Sequence, residues 1–175
     1  MMGKRALRAR LRAIRDAAPP ASMVVPDAFA ARLSPGLIVA SYIAMGGEAD
    51  PAPLDRVAAD AGCRLALPHV VDRPTPIRFL DARRALVDGP FGLRQPDAGA
   101  AELAPDIILT PLVGFDRRGN RLGQGAGHYD RAFAAYPAAW RIGIAHAAQE
   151  VPSLTPDPWD VPLHAILTEQ EWIVP

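Results

Sequence analysis

A chain of 175 residues, half of them hydrophobic, can bury one substantial core but is too short for two ordinary domains, so residues 1–175 are expected to form a single domain. Nineteen basic residues balance nineteen acidic ones, which excludes a global field steering the molecule to nucleic acid or an anionic membrane; any basic site must be local. The one cysteine, Cys63, cannot form an internal disulfide and lies in an apolar segment, where a core thiol is expected rather than a nucleophile.

In chain order, Leu7, Leu11 and Ile14 recur at helical spacing in KRALRARLRAIRDA, with Lys4, Arg8, Arg12 and Arg15 on a neighbouring stripe. One face can dock and the next can bind anions, although a solvated basic face is the commoner fate of such a stripe. No contiguous apolar stretch of the signal-peptide kind is present here, and no run is long enough to span a bilayer, so a cytoplasmic location without membrane partners is expected. ASMVVPDAFAARL predicts a second helix over 21–33, disturbed early by Pro26. GLIVASYI, continuously apolar and β-branched, predicts a strand covered on both faces, a mark of parallel sheets. PLDRVAADAG predicts a helix stopped at Gly62, CRLALP a short strand, and IRFL an edge or connecting strand. From Asp81 to Ala104, glycine and proline turn signals predict a path over the surface. DIILTPLVGF predicts a strand, GHYDRAFAAY a helix, WRIGIAH a strand and HAILTE the last strand. This alternation implies crossover units and an α/β fold, a three-layer α/β/α sandwich with a mostly parallel, Rossmann-like sheet.

The segment FDRRGNRLGQGAGHYDR joins the strand DIILTPLVGF to the helix beginning near Gly127. Ligands of open parallel sheets bind at the carboxyl ends of strands. Gly123, Gly125 and Gly127 alternate in a loop whose N–H groups could converge on phosphate oxygens, helped by the dipole of the following helix. The spacing is neither a P-loop nor the dinucleotide fingerprint, and a glycine-rich turn that merely lets a helix approach the sheet explains the glycines equally well. Arg117, Arg118 and Arg121 supply cations, and Asp116 and Asp130 supply hard oxygens of the kind Mg²⁺ prefers, so the group resembles an ATP site. Each also has a plain structural role open to it: Asp116 in a turn, Asp130 offsetting a helix dipole.

DIILTPLVGFDRRGNRLGQGAGHYDRAF resembles the signature of the 5-formyltetrahydrofolate cyclo-ligase (methenyltetrahydrofolate synthetase) family. KRALRARL, YIAMGGEADP, CRLALPHV, FGLRQP and DVPLHAILTE are similar to other family segments and lie in the family's order over nearly the whole chain. The resemblance implies an enzyme in which ATP phosphorylates the formyl oxygen of 5-formyltetrahydrofolate and N10 attacks the activated carbon. The products are 5,10-methenyltetrahydrofolate, ADP and phosphate, and no protein nucleophile is needed. It implies that Lys4 and Arg8 reach ATP phosphates and that Arg121, Leu122, Gly123, Gln124, Gly125, Ala126, Gly127, His128 and Tyr129 cradle them. Arg121 and Asp130 would be catalytic, Asp130 holding Mg²⁺. Glu48 would face the folate, with Tyr42, Met45, Phe91 and Tyr129 lining its ring pocket.

Three positions depart from the family pattern. His128 stands where a tyrosine is common, so activity is expected to bend with pH. Ala126 replaces a glycine or lysine, leaving arginines to meet the phosphates. His164 stands where an aspartate often helps hold Mg²⁺; imidazole suits that ion poorly, so His164 binds it weakly or Asp160 or water substitutes. His69 and His146, at strand ends, are expected to be structural. A paralogue of the same fold acting elsewhere in cofactor metabolism is the alternative enzyme, distinguished by whether Lys4, Arg8, Glu48 and Asp130 share one cleft. A phosphate- or nucleic-acid-binding module is the alternative outside enzymes, and zero net charge argues against it. The expected partner is a small-molecule reduced folate, with no nucleic acid, on a monomer or weak homodimer.

Overall fold

The computed structural model describes residues 3–175. Its helices are α1 (Lys4–Ala17), α2 (Asp27–Ala30), α3 (Ala52–Asp60) and α4 (His128–Ala135). The strands are β1 (Ile38–Ala40), β2 (Arg64–His69), β3 (Arg78–Asp81), β4 (Leu86–Asp88), β5 (Arg94–Pro96), β6 (Ile107–Pro111), β7 (Gly114–Phe115), β8 (Arg121–Leu122), β9 (Trp140–Ile144), β10 (Ala165–Leu167) and β11 (Trp172–Ile173). Among the described residues, seven strands form the central sheet in the order β11-β10-β9-β6-β1-β2-β3. The inner five are parallel and the two edges, β3 and β11, are antiparallel to their neighbours. From β1 the chain passes through α3 to β2 on one side, whereas β6 and β9 lie on the other. The order therefore reverses between β1 and β6, where a crevice opens at the carboxyl ends of the strands.

The central strands β1, β6, β9 and β10 are buried on both faces, and alternate residues build two cores. Val39, Ile107, Leu109, Ile142 and Ile144 pack with Phe29 of α2 and Leu54 and Ala58 of α3. Ala40, Ile108, Ala66 and Ile166 pack with Ala132 and Phe133 of α4. Helices thus cover both faces of a mostly parallel sheet, as the sequence led us to expect. Helix α1 docks separately, Leu11 packing with Val113, Leu122 and Leu154 against the β7–β8 hairpin.

Four elements differ from expectation. The second helix shrinks to Asp27–Ala30, because Pro26 donates no hydrogen bond and holds the preceding chain extended; Pro26 itself is the residue before the first turn. The strand expected over 106–115 stops at Pro111, and Gly114–Phe115 turns out of the sheet to pair with Arg121–Leu122. The segment 81–104 carries a hairpin, β4 with β5, tied inward by buried Gln95, which bonds both the N–H and the carbonyl of Val70. β10 is followed by one more strand, β11, which closes that edge antiparallel. Cys63 is half-buried just before β2, its thiol donating to the Ser34 carbonyl, rather than a core side chain.

Candidate active site

The β7–β8 hairpin places the glycine loop. Its turn is organised by Asp116, a fully buried carboxylate that accepts from the N–H groups of Arg118, Asn120 and Leu154. Burial pushes this carboxyl up, but the hydrogen bonds from Asn120, Leu154 and Arg118 outweigh it and hold the group below the usual range. Asp116 is therefore turn chemistry and not a metal ligand. The next two arginines also face away from the loop: Arg117 pairs with Glu150 and Glu171, and Arg118 with Asp116 and Ser153. From Gly123 to Asp130, the backbone N–H groups donate to no acceptor among the described residues. Gly125 at φ +102° and Gly127 at φ +71° hold the chain in the left-handed region that lets these groups crowd together.

Helix α1 meets this loop along its basic stripe. Arg8 Nε donates to the Gly123 carbonyl at 2.9 Å, and Arg12 donates to the Gln124 side chain at 2.7 and 3.0 Å. Arg15 follows three residues on, its Nη1 3.8 Å from Glu48 Oε1. That Nη1 is buried without a hydrogen-bond partner among the described residues. The i, i+4 spacing of Lys4, Arg8 and Arg12 thus becomes a row of cations running from the C-terminal loop to Glu48.

Beside this row lies a cleft of about 680 Å³ at the carboxyl ends of β1, β2 and β6. Glu48, Tyr42, Met45 and Phe91 line it together with Gln124, Ala126, His128 and Tyr129 from the loop and α4. Glu48 is largely shielded from solvent and accepts from the Met45 N–H. Burial pushes its carboxyl above the ordinary range against the opposing pull of that N–H, Arg15 and Gln124. Its charge in turn adds to burial in raising the hydroxyls of Tyr42 and Tyr129. Tyr42 donates to the Ala49 carbonyl and so braces the loop that carries Glu48. Phe91, 60% exposed at the β4–β5 tip, occupies φ +61°, ψ +24°, a left-handed conformation costly for an aromatic residue.

Several expected residues lie elsewhere. Leu122 is buried against α1, so its side chain belongs to the core and only its backbone borders the loop. Arg121 is buried beneath the loop, over the Phe133 ring, where its Nη2 pairs with Asp130 Oδ1 at 2.7 Å and its Nη1 bonds the Val161 carbonyl. Lys4 is held by Asp157 and lies 3.6 Å from Asp160. Of Lys4, Arg8, Glu48 and Asp130, Glu48 alone lines this cleft; Lys4 and Arg121 line a separate small pocket with Asp160, while Arg8 reaches the glycine loop through the Gly123 carbonyl and Asp130 pairs with Arg121. Both ring nitrogens of His164 face Arg141, through its backbone N–H and its guanidinium, so His164 is engaged by a cation rather than joined to Asp130. Burial, then Arg141, holds the imidazole below its usual range. No group of three or more His, Cys, Asp or Glu side chains gathers at metal-holding distance among the described residues. His69 and His146 are buried and bonded to the Pro96 and Gly47 carbonyls.

The sequence of residues 1–169 matches the model of the 5-formyltetrahydrofolate cyclo-ligase family. The chain belongs to that family. It is 33% identical over 147 residues to the 5-formyltetrahydrofolate cyclo-ligase of Escherichia coli K12, covering 77% of this chain and 80% of that one. With the Mycolicibacterium smegmatis 5-formyltetrahydrofolate cyclo-ligase it shares 32% identity over 149 residues, 79% of this chain and 77% of the relative. The solution structure of Aquifex aeolicus 5,10-methenyltetrahydrofolate synthetase superposes with a TM-score of 0.72 at 25% identity, over 99% of this chain and 93% of that one.

Within this cyclo-ligase family member, sequence reasoning placed Arg12 and Arg15 on the anion-binding stripe without assigning them to the site, and it passed over Arg131. Arg12 and Arg15 sit on the same stripe as Lys4 and Arg8, so spacing alone was enough to include them. Arg131 gave no such signal: it bonds the Ala126 carbonyl from Nη1 and the Arg73 carbonyl from Nη2, a contact across 58 residues that only folding creates. His128 joins it by bonding the Asp72 carbonyl at 2.9 Å. Among the described residues no helix is long and apolar enough to cross a membrane.

Proposed function

We propose that this chain converts 5-formyltetrahydrofolate and ATP to 5,10-methenyltetrahydrofolate, ADP and phosphate. The observation that carries the proposal is the bonding of Arg8 and Arg12 to the glycine loop, which sets a row of unengaged N–H groups and cations at the edge of the cleft holding Glu48. Donors without internal partners suit an anionic ligand with many acceptor oxygens, and the triphosphate supplies them. The buried, unpartnered Nη1 of Arg15 is a further donor in the same cleft.

The chemistry asks for positioning more than for a protein nucleophile. The formyl oxygen takes the γ-phosphoryl group as the bond to ADP breaks; N10 then bonds the formyl carbon and gives up its proton, and that carbon's bond to the phosphorylated oxygen breaks as phosphate leaves. Glu48, with its partly desolvated carboxylate, is suited to accept hydrogen bonds from the reduced pterin and fix the formamide's orientation. The rings of Tyr42, Tyr129 and Phe91 give the flat substrate apolar faces. Arg8 and Arg12 hold the loop in place against α1 while the phosphates bind.

Mg²⁺ fits the first turn of α4, where the glycine loop ends, through Asp130. Both hydrogen bonds to that carboxylate, from Arg121 and Val161, fall on Oδ1, leaving Oδ2 to a cation. A single carboxylate is the donor set Mg²⁺ commonly uses when nucleotide phosphates and water complete its shell. When bound, the ion would neutralise charge developing on the transferred phosphoryl group.

Purified protein given ATP, Mg²⁺ and 5-formyltetrahydrofolate is expected to generate the methenyl chromophore, and to form none when ATP is omitted. Asp130→Asn should lower activity and raise the Mg²⁺ concentration needed for half-maximal rate. Absence of product from folded wild-type protein at any Mg²⁺ concentration would overturn the proposal.

A further inference from the structure

The cleft is chemically graded along the sheet. At its central end, by β6 and β1, it holds Glu48 and Arg15; across the ends of β2 and β3 its floor is apolar, from Leu67, Val70, Ile77 and the hairpin's Leu93. Beyond that floor two further arginines line it, Arg73 and Arg94. They belong to the same end: Arg73 comes three residues after Val70, and Arg94 precedes Gln95, which bonds Val70 twice.

The two arginines differ in how they are engaged. Arg94 bonds Asp88 and the Leu86 carbonyl, each at 3.0 Å, and Asp88 is highly exposed. Arg73 is exposed, and its guanidinium makes no hydrogen bond or ion pair among the described residues. Its backbone is nonetheless fixed, since Arg131 bonds its carbonyl at 2.8 Å and His128 bonds that of Asp72. A cation with a pinned backbone and an unspent fork of donors, lining the same cleft as Glu48 and its apolar floor, is arranged for a carboxylate or phosphate on the far end of a flat ligand.

We propose that Arg73, supported by the charge of Arg94, recognises the glutamyl carboxylates of the folate tail and so sets the preference for glutamate number. This rests on the folate assignment given above. Phosphate shares the same chemistry, and the neighbouring glycine loop makes the nucleotide the competing occupant.

The test compares wild type, Arg73→Ala and Arg73→Lys on 5-formyltetrahydrofolate with one or three glutamates and on the pteroate analogue that lacks glutamate. Wild type is expected to show the lowest KM for the triglutamate and the highest for the pteroate. Arg73→Ala should raise the KM of the monoglutamate by about tenfold, the loss of one charge-assisted contact, and that of the triglutamate by more, so that the spread between them narrows, with kcat, the KM for ATP and the pteroate KM unchanged. Arg73→Lys should recover part of the difference, and added salt should shrink it. Retention of glutamate dependence in the Arg73→Ala protein overturns the inference while leaving the folate assignment standing. A rise in the KM for ATP instead assigns Arg73 to the nucleotide and overturns it equally. Failure of wild type to convert any of the three overturns both.

Discussion

Arg8 on the first helix and Gly123 in the glycine loop, 115 residues apart in sequence, are joined by a 2.9 Å hydrogen bond from the guanidinium to the backbone carbonyl. The bond fixes one strand of the loop and leaves its N–H groups pointing elsewhere. Arg8→Ala removes both the tether and a cation next to the proposed triphosphate. We expect the KM for ATP to rise about tenfold or more, with a melting temperature close to wild type because Arg8 is only partly buried. Steady-state kinetics with ATP varied, alongside a thermal melt, separates loss of binding from loss of fold.

Docking of α1 depends on Gly114. A Cβ at that position would lie 2.5 Å from Leu11 Cδ1, which is tighter than atoms tolerate. Gly114→Ala should destabilise the protein by about 1–3 kcal/mol through overpacking. Leu11→Ala alone should cost about 2–5 kcal/mol by leaving a cavity. Combined, the two should cost less than their sum, because the added methyl fills part of the space that Leu11 vacates; a double-mutant cycle in urea measures the coupling.

Asp55 makes the fold sensitive to pH. Burial in the first turn of α3, with the charge of Asp50 adding and Ser41 and Arg56 partly offsetting, raises its carboxyl from 3.8 to about 6. Its Oδ1 is buried without a hydrogen-bond partner among the described residues. A raised carboxyl binds its proton more tightly in the folded state, so this contribution is complete below pH 4 and is lost as pH rises through about 6. The rise corresponds to about 3 kcal/mol. Unfolding by urea between pH 4 and 7.5 should show wild type losing stability over that window and Asp55→Asn losing much less, so that the variant is the more stable protein at pH 7.5.

Phe91 exchanges backbone strain for an aromatic face at the cleft. Phe91→Gly relieves the left-handed strain at φ +61° and removes the ring. Its stability is expected to equal wild type or exceed it by up to about 1 kcal/mol, the gain being limited by the greater freedom of glycine in the unfolded chain. Phe91→Ala removes the ring and keeps the strain. Both should raise the KM for 5-formyltetrahydrofolate by a similar factor while differing in stability; unchanged KM in both would remove Phe91 from the substrate pocket.

The one-dimensional record was most informative where a local rule acts by itself. Apolar runs predicted the strands at 38–40, 64–69, 107–111 and 140–144, and the β-branched run at 38–40 pointed further to a strand covered on both faces. The spacing of Leu7, Leu11 and Ile14 predicted α1, and the glycine cluster together with its flanking segments identified the family. Glu48, Tyr42, Met45 and Phe91 were named from their segments, and the fold does bring all four to one cleft.

Only the tertiary structure decided which charges serve the cleft and which serve the scaffold. Charge alone does not separate Arg117 and Arg118 from Arg8 and Arg12, yet the first two are consumed by Glu150, Glu171, Asp116 and Ser153 while the others reach the glycine loop. The same holds for Asp116, absorbed by its own turn, and for His164, faced by Arg141. Periodicity and turn chemistry are set by neighbours in the chain, so sequence determines them. The partner of a long charged side chain is set by which surfaces the packed core brings within a few ångströms, and that is fixed only when distant segments have met.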